Sequence, residues 1–329
     1  MSQILEMPAL YDRLSKIGLT KTFIQKNALP QWWDSELEKD PVAVMEAYGY
    51  IAKRMGLDIA SVFNPDAPLT FKKRNNPKFK KRLGTDEQCL FVAQGLASRV
   101  AEMVTYASPS TFKGTLPDVF EIRRQILVDR PCVDLDGLLQ FCWSCGLPVV
   151  HFSADLPPKC HKVDGMAACL NNCPAIVVML KKSFSAWLLF ILAHELGHIA
   201  CGHVKDGVLV DEGIADKEIQ DTEETEANDF AVKLLFGKQP DYQWMQKLNT
   251  IELVRISRKY AKDVMVDPGV VVLNYAWNTK DWANAVGALK IIEPSANAPA
   301  NINSYLDKNL DWEQLDTDSE EYLRLIKGV

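Results

Sequence analysis

The chain has 329 residues, of which 47% are apolar and 24% are charged, so it can bury a substantial core and belongs to the globular class. Its net charge of −6 disfavours duplex DNA as an obligatory partner, because affinity for DNA comes mainly from neutralising phosphates. The longest apolar run, residues 186–193, is far shorter than the roughly 20 residues of a membrane helix, and the first twenty residues lack the pattern of a secretory signal. Together with eight cysteines, which we interpret as reduced thiols, these features predict a cytoplasmic protein with no membrane partner.

The first part of the chain, residues 1–70, is predicted to be a helical domain. A helix is expected over about 42–55, because Asp40-Pro41 is typical of a helix start and Gly56 of a helix end. A basic linker follows at 71–84, where seven of the eleven residues from 72 to 82 are Lys or Arg. This linker could contact an acidic partner.

Residues 85–240 are predicted to form a domain that combines helices with a small sheet. Apolar residues at helical spacing predict helices over about 85–106 and 136–145. Short apolar, β-branched runs predict strands over 148–152 and 175–180.

Two further helices are predicted in the second half of this domain. Ser185 is expected to cap a helix that continues to about residue 202, and another helix is predicted over 222–236. Residues 241–329 are predicted to be a helical C-terminal region with an acidic tail, and one of its helices should start at Asp267-Pro268.

The helix that begins near Ser185 contains the one motif with a clear chemistry. His194 and His198 are four residues apart, so their imidazoles leave the same face of a helix and can bind one ion. Glu195 lies about 100° further round the helix, where it can act as general base without being a ligand. The preceding run, 186–193, is wholly apolar, so these titratable groups are expected to be buried, which is unfavourable unless a cation neutralises them. The motif therefore predicts a catalytic zinc site with Glu195 as the catalytic residue.

The third zinc ligand is not a histidine of the metzincin pattern. That pattern requires Gly three residues and His six residues after His198, where this chain has Cys201 and Val204. His203 is out of phase with the two motif histidines. It is interpreted as a capping or pocket-rim residue.

A glutamate from the helix predicted over 222–236 is the stronger candidate for the third ligand. Glu223, Glu224 and Glu226 all lie near the start of that helix, where acidic residues are favoured in any case. Periodicity does not choose among the three.

The motif and the second helix together resemble the ImmA/IrrE family of metallopeptidases. The chain has HELGH at 194–198 and then ETEANDFAVKLL at 224–235, similar to the family pattern of HELGH followed by E-x-E-A-N-x-F-A-x-x-L-L. The resemblance implies that Glu224 is the third ligand and that Asn228 supports the site from one turn further on. It also implies an α+β fold, mostly helical, with a minimal, gluzincin-like zincin core, a small β-sheet and helical N-terminal and C-terminal regions.

The resemblance covers about residues 131–240, and the chain departs from it at the end. The family usually continues Leu-Leu-Met-Pro, whereas this chain delays its proline to Pro240, so a substrate preference is not transferred. Zincins of this kind bind substrate as an added strand on a sheet edge, for which residues 165–170 are the expected edge. His203 is also a candidate oxyanion donor.

Several cysteines form a weaker constellation. Cys142 and Cys145 have metal-type spacing but lie on an apolar helix, where cysteines are usually small core residues. A second zinc site would need further ligands besides these two cysteines, and the candidates are Cys160, His161, Cys169 and Cys173.

The N-terminal region resembles, more faintly, an XRE-type helix-turn-helix domain, on the segment 43–62. Residues 1–66 contain seven Lys/Arg against nine Asp/Glu, which favours protein docking over DNA binding.

The first functional hypothesis is a zinc-dependent endopeptidase that hydrolyses a specific partner protein, of the XRE-type repressor or antitoxin kind. The alternative is a zinc-stabilised regulator or toxin component that acts by protein or DNA binding without obligatory proteolysis. DNA binding, if it occurs, should be salt-sensitive and depend on the basic linker.

Overall fold

A computed structural model describes residues 6–72, 87–156, 163–170, 172–204, 207–211, 222–238 and 247–328. These residues form a mostly helical α+β fold with one four-stranded sheet, in agreement with the predicted class. The helices are α1 (Met7–Lys16), α2 (Lys21–Asn27), α3 (Pro41–Met55), α4 (Ile59–Phe63), α5 (Glu87–Tyr106), α6 (Val119–Asp129), α7 (Leu135–Ser144), α8 (Ser185–Ala200), α9 (Thr222–Phe236), α10 (Thr250–Val264), α11 (Pro268–Thr279), α12 (Trp282–Ile292), α13 (Ala298–Asn309) and α14 (Thr317–Lys327). The strands are β1 (Val149–His151), β2 (Gly165–Leu170), β3 (Cys173–Val178) and β4 (Gly207–Asp211).

Helix boundaries follow the capping residues of the sequence. The Asp40 side chain accepts a hydrogen bond from the backbone N–H of Val42 at the start of α3, and Gly56 ends that helix in the left-handed region with φ 68°. Asp267 accepts a bond from the N–H of Gly269 at the start of α11 in the same way. The predicted helices at 42–55, 136–145 and 222–236 are confirmed within two residues.

The sheet has the strand order β1-β3-β2-β4. β1 pairs with β3 in parallel, whereas β2 pairs in antiparallel with β3 on one side and with β4 on the other. The prediction that 165–170 is an edge strand is therefore wrong, because the short segment Gly207–Asp211, which was not predicted as a strand, covers that side of β2. On the opposite side of the sheet, the Asn303 side chain of α13 bonds to both the N–H and the carbonyl of His151 in β1.

Alternate residues of the sheet contribute to two hydrophobic cores. Val149, Ile176 and Val178 belong to the core that contains α8 and α9, while Val150 and Val177 belong to the core that contains α5 and the N-terminal helices. This alternation is the period of two expected of a strand buried on both faces. One face of the sheet thus packs in the same core as α8.

The N-terminal helices share their core with the end of the chain. Buried residues of α1 to α4 lie in the same cluster as Leu306 and Ile326. Three acidic residues in or next to α14 pair with α3: Asp316 with Lys53 at 2.6 Å, Asp318 with Arg54 at 2.7 Å and Glu321 with Arg54 at 3.2 Å. The division at residues 70, 84 and 240 stays a prediction, and most of the basic linker lies outside the described residues.

Within the described part of the chain, no helix is long and apolar enough to cross a membrane.

Candidate metal centre

α8 carries the motif in a fully buried position. The exposed fractions of His194, Glu195 and His198 are 1%, 0% and 0%. Ser185 is the first residue of α8 and does not cap it, contrary to the prediction. Instead, the Glu293 carboxylate, at the end of α12, accepts bonds from the backbone N–H and the hydroxyl of Ser185 at 2.8 and 2.7 Å. A carboxylate at this end also complements the helix dipole.

The two motif histidines point their Nε2 atoms at each other. His194 Nε2 and His198 Nε2 are 3.0 Å apart, as expected for side chains one helical turn apart on the same face. Their rings are nearly perpendicular, with an interplanar angle of 82°. Two nitrogen atoms are thus directed at one point in the interior.

Glu224 completes this arrangement from α9. Its Oε2 lies 3.3 Å from His194 Nε2, and its Oε1 lies 3.3 Å from His198 Nε2. Among the three glutamates left open by periodicity, Glu224 is the one whose carboxylate reaches both histidines, while Glu226 lies on His203. The structure brings together the three residues predicted as ligands.

α8 and α9 approach closely enough for this contact because residue 197 is a glycine. A Cβ added at Gly197 would lie 3.0 Å from the carbonyl oxygen of Ala227 and 3.1 Å from its Cα. Both atoms belong to the backbone of α9, which cannot move aside like a flexible side chain. The glycine of the motif thus sets the spacing of the two ligand-bearing helices.

The donor set fits a metal ion. One ligand atom from each of His194, His198 and Glu224 lies within 4.8 Å of the others, in a site where two of the three side chains are buried. Two imidazole nitrogens and one carboxylate are donors that zinc accepts, and three protein ligands leave a fourth position open. The cluster can therefore hold a metal ion.

The Nδ1 atom of each motif histidine contacts a further side chain. Asn228 Oδ1 lies 3.1 Å from His194 Nδ1, and His203 Nδ1 lies 3.0 Å from His198 Nδ1. The amide oxygen can only accept, so the proton of neutral His194 resides on Nδ1 and its Nε2 lone pair faces Glu224. Asn228 thus lies where a support for the first ligand is expected.

His203 continues the chain of contacts from His198 to Glu226. Its Nε2 lies 2.8 Å from Glu226 Oε2, so both ring nitrogens are engaged within the protein. The residue is 7% exposed. This geometry favours a role in orienting His198 over the predicted role of an oxyanion donor.

Glu195 lies against the first residue of β2. A Cβ added at Gly165 would be 2.6 Å from Glu195 Oε1 and 2.9 Å from Ile191 Cγ2. Only a glycine leaves room for the carboxylate at this point of the sheet. Gly165 was not predicted as a site residue, although a glycine in a strand often marks the close approach of another group.

Among the described residues, neither group of potential metal ligands contains Cys142, Cys145, Cys169 or Cys173. Cys142, Cys145 and Cys173 are free thiols. Cys142 is fully buried, and burial raises the pKa of its thiol strongly, as expected of a core residue. Cys160 and His161 lie outside the described residues.

Comparison of the chain with known proteins gives no match, whether to a family model, to a curated protein or to a solved structure.

Proposed function

We propose that the protein is a zinc-dependent endopeptidase of the ImmA/IrrE type, acting in the cytoplasm on a specific partner protein such as an XRE-type repressor or an antitoxin. The observation that carries the proposal is the convergence of His194, His198 and Glu224 beside a buried Glu195. The order of these residues along the chain and their packing on a sheet fit a minimal zincin core.

In peptide hydrolysis these residues have different roles. A zinc ion held by His194, His198 and Glu224 would supply Lewis acidity to the attacking water and the scissile carbonyl. The Glu195 carboxylate takes a proton from that water and passes it to the leaving amine. Gly165 holds open the space in which this carboxylate lies.

The sheet offers an edge for an extended substrate at β4. β4 is the last strand in the sheet order, and its Asp211 pairs with Gly165, the residue that contacts Glu195. An extended peptide added to the free side of β4 would be separated from Gly165 by that strand, at two strand spacings or roughly 10 Å. A peptide held in this way is bound through its main chain.

The metal part of the proposal is tested by two variants of the same helix. Glu224→Gln removes one anionic ligand and should lower the zinc affinity at least 10-fold. Glu223→Gln changes the neighbouring residue in the same manner and should leave the zinc affinity unchanged. Bound zinc is measured by competition with a chromophoric chelator, and equal affinity in the two variants contradicts the assignment.

The catalytic part is tested by searching the neighbouring genes for a small XRE-type repressor and incubating its product with the full chain, with and without a chelator. Glu195→Gln should retain zinc and lose cleavage, whereas His194→Ala should lose both. Normal cleavage by Glu195→Gln would show that the mechanism is wrong. A biological effect that survives Glu195→Gln but not His194→Ala would instead support a regulator that acts by binding.

A further inference from the structure

A second cluster of potential ligands lies directly behind the first. α8 ends at Ala200, and Gly202 turns the chain back in the left-handed region with φ 74°, so that the N–H of His203 bonds to the carbonyl of His198. This turn brings Cys201 and His203 to Glu226 of α9. One ligand atom from each of these three residues lies within 4.8 Å of the others.

The chemistry of this cluster differs from that of the first. It offers a soft thiol, a borderline imidazole and a hard carboxylate, and zinc and similar divalent ions accept all three kinds of donor. His203 is buried and anchors the cluster, while Cys201 and Glu226 are exposed and give an ion access from solvent. None of the three residues belongs to the predicted metal centre as a ligand.

We propose that Cys201, His203 and Glu226 form a second site for a zinc-like divalent ion, and that filling this site opposes metal binding at His194, His198 and Glu224. The second site follows from its own residues. The opposition between the two sites rests on the metal centre proposed above.

The two sites oppose each other because His198 and His203 share a hydrogen bond, whose direction depends on which nitrogen of each ring carries the proton. When neutral His198 presents the lone pair of Nε2 to the first site, its Nδ1 carries the proton and donates to His203 Nδ1, 3.0 Å away. Neutral His203 then has its own proton on Nε2, where it donates to Glu226 Oε2 at 2.8 Å.

An ion bound to His203 Nε2 displaces that proton. Neutral His203 must then carry its proton on Nδ1. The N–H groups of His198 and His203 then face each other. This repulsion is removed only if one ring turns away or one of the two rings loses its proton. Each of these outcomes is unfavourable while both sites are occupied. By linkage, each ion must weaken the binding of the other by the same factor.

Cobalt distinguishes the two sites by spectroscopy in the full-length protein freed of metal. The first equivalent of Co²⁺ should give visible d–d bands without a near-ultraviolet sulfur-to-cobalt charge-transfer band, because the first site has no thiolate. Further Co²⁺ should add the charge-transfer band. Cys201→Ser should abolish this band and keep the first step, and Cys145→Ser, a matched control just after the end of α7, should keep both steps.

The opposition is measured in His194→Ala, which disables the first site. There the charge-transfer band should appear at a Co²⁺ concentration on the order of 10-fold lower than in the wild type. An unchanged concentration would overturn the opposition between the sites. Absence of the band in the wild type, or its persistence in Cys201→Ser, would overturn the second site itself.

These results are separate from the fate of the proposed peptidase. The cobalt bands report on the second site even if the protein cleaves nothing. Conversely, zinc-dependent cleavage would stand if no thiolate band were found.

Discussion

The close packing of α8 on α9 can be tested by adding a single methyl group at Gly197. The Cβ of Gly197→Ala would lie 3.1 Å from Ala227 Cα, whereas ordinary carbon–carbon contacts begin at about 3.5 Å. α9 must therefore move away by roughly 0.4 Å. Metal–ligand distances vary by only about 0.2 Å around their ideal values, so this displacement is enough to impair the position of Glu224.

We expect Gly197→Ala to lower the zinc affinity by on the order of 10-fold. Overpacking of a core destabilises a protein by about 1–3 kcal/mol, whereas replacing a helical glycine by alanine stabilises it by about 1 kcal/mol. The unfolding free energy of the metal-free protein should therefore fall by on the order of 1 kcal/mol. Zinc affinity is measured by chelator competition, and stability by denaturant unfolding in the presence of excess chelator.

Gly49 provides the matched control, because it also lies inside a helix, α3, but an added Cβ there meets nothing within 4 Å. Gly49→Ala should therefore stabilise the protein by about 0.5–1 kcal/mol and leave the zinc affinity unchanged. If Gly197→Ala bound zinc as tightly as the wild type, the view that this glycine sets the ligand geometry would be wrong.

Three other substitutions test single contacts. Gly165→Ala should displace the Glu195 carboxylate and lower cleavage at least 10-fold while zinc stays bound, and a variant that is fully active would show that the added Cβ is accommodated. Asn228→Ala should weaken zinc binding about 10- to 100-fold through loss of the contact with His194, and unchanged affinity would mean that the contact does not orient the ring. Burial raises the pKa of Asp267 to about 6, so its contribution to stability is present below about pH 4 and is lost as the pH rises through 6. Between pH 4 and 6.5 the wild type should thus lose on the order of 2 kcal/mol more unfolding free energy than Asp267→Asn, and parallel pH profiles of the two proteins would contradict the raised pKa.

Local signals were sufficient for many of the helices and for the metal motif. Caps and glycines predicted α3 and α9 because these signals act within one turn of the chain. The motif residues His194 and His198 were predictable for the same reason, since their spacing alone fixes the shared face. Ser185 was wrongly expected to cap α8, because the carboxylate that binds this end of the helix, Glu293, is distant in sequence.

The position of β2 in the sheet depended on long-range pairing. Residues 165–170 have the composition of a strand whether or not another strand covers them. The covering strand, β4, is short, and its pairing partner was not evident from its own pattern. The result moves the expected substrate edge from β2 to β4, the strand that pairs with β2.

Which glutamate lies with His194 and His198 likewise depends on the packing of α9 against α8. Glu224 and Glu226 are two residues apart, so their side chains leave α9 roughly 200° apart and cannot serve the same ion. They nevertheless both reach histidines of the α8 segment, because Gly202 folds His203 back beyond the end of that helix. The first turn of α9 therefore lies between two histidine groups that the local sequence pattern could not place. Since one helix contact fixes the distance to both groups, a shift of α9 at Gly197 should disturb the two clusters together, whereas the loss of Cys201 should disturb only the second.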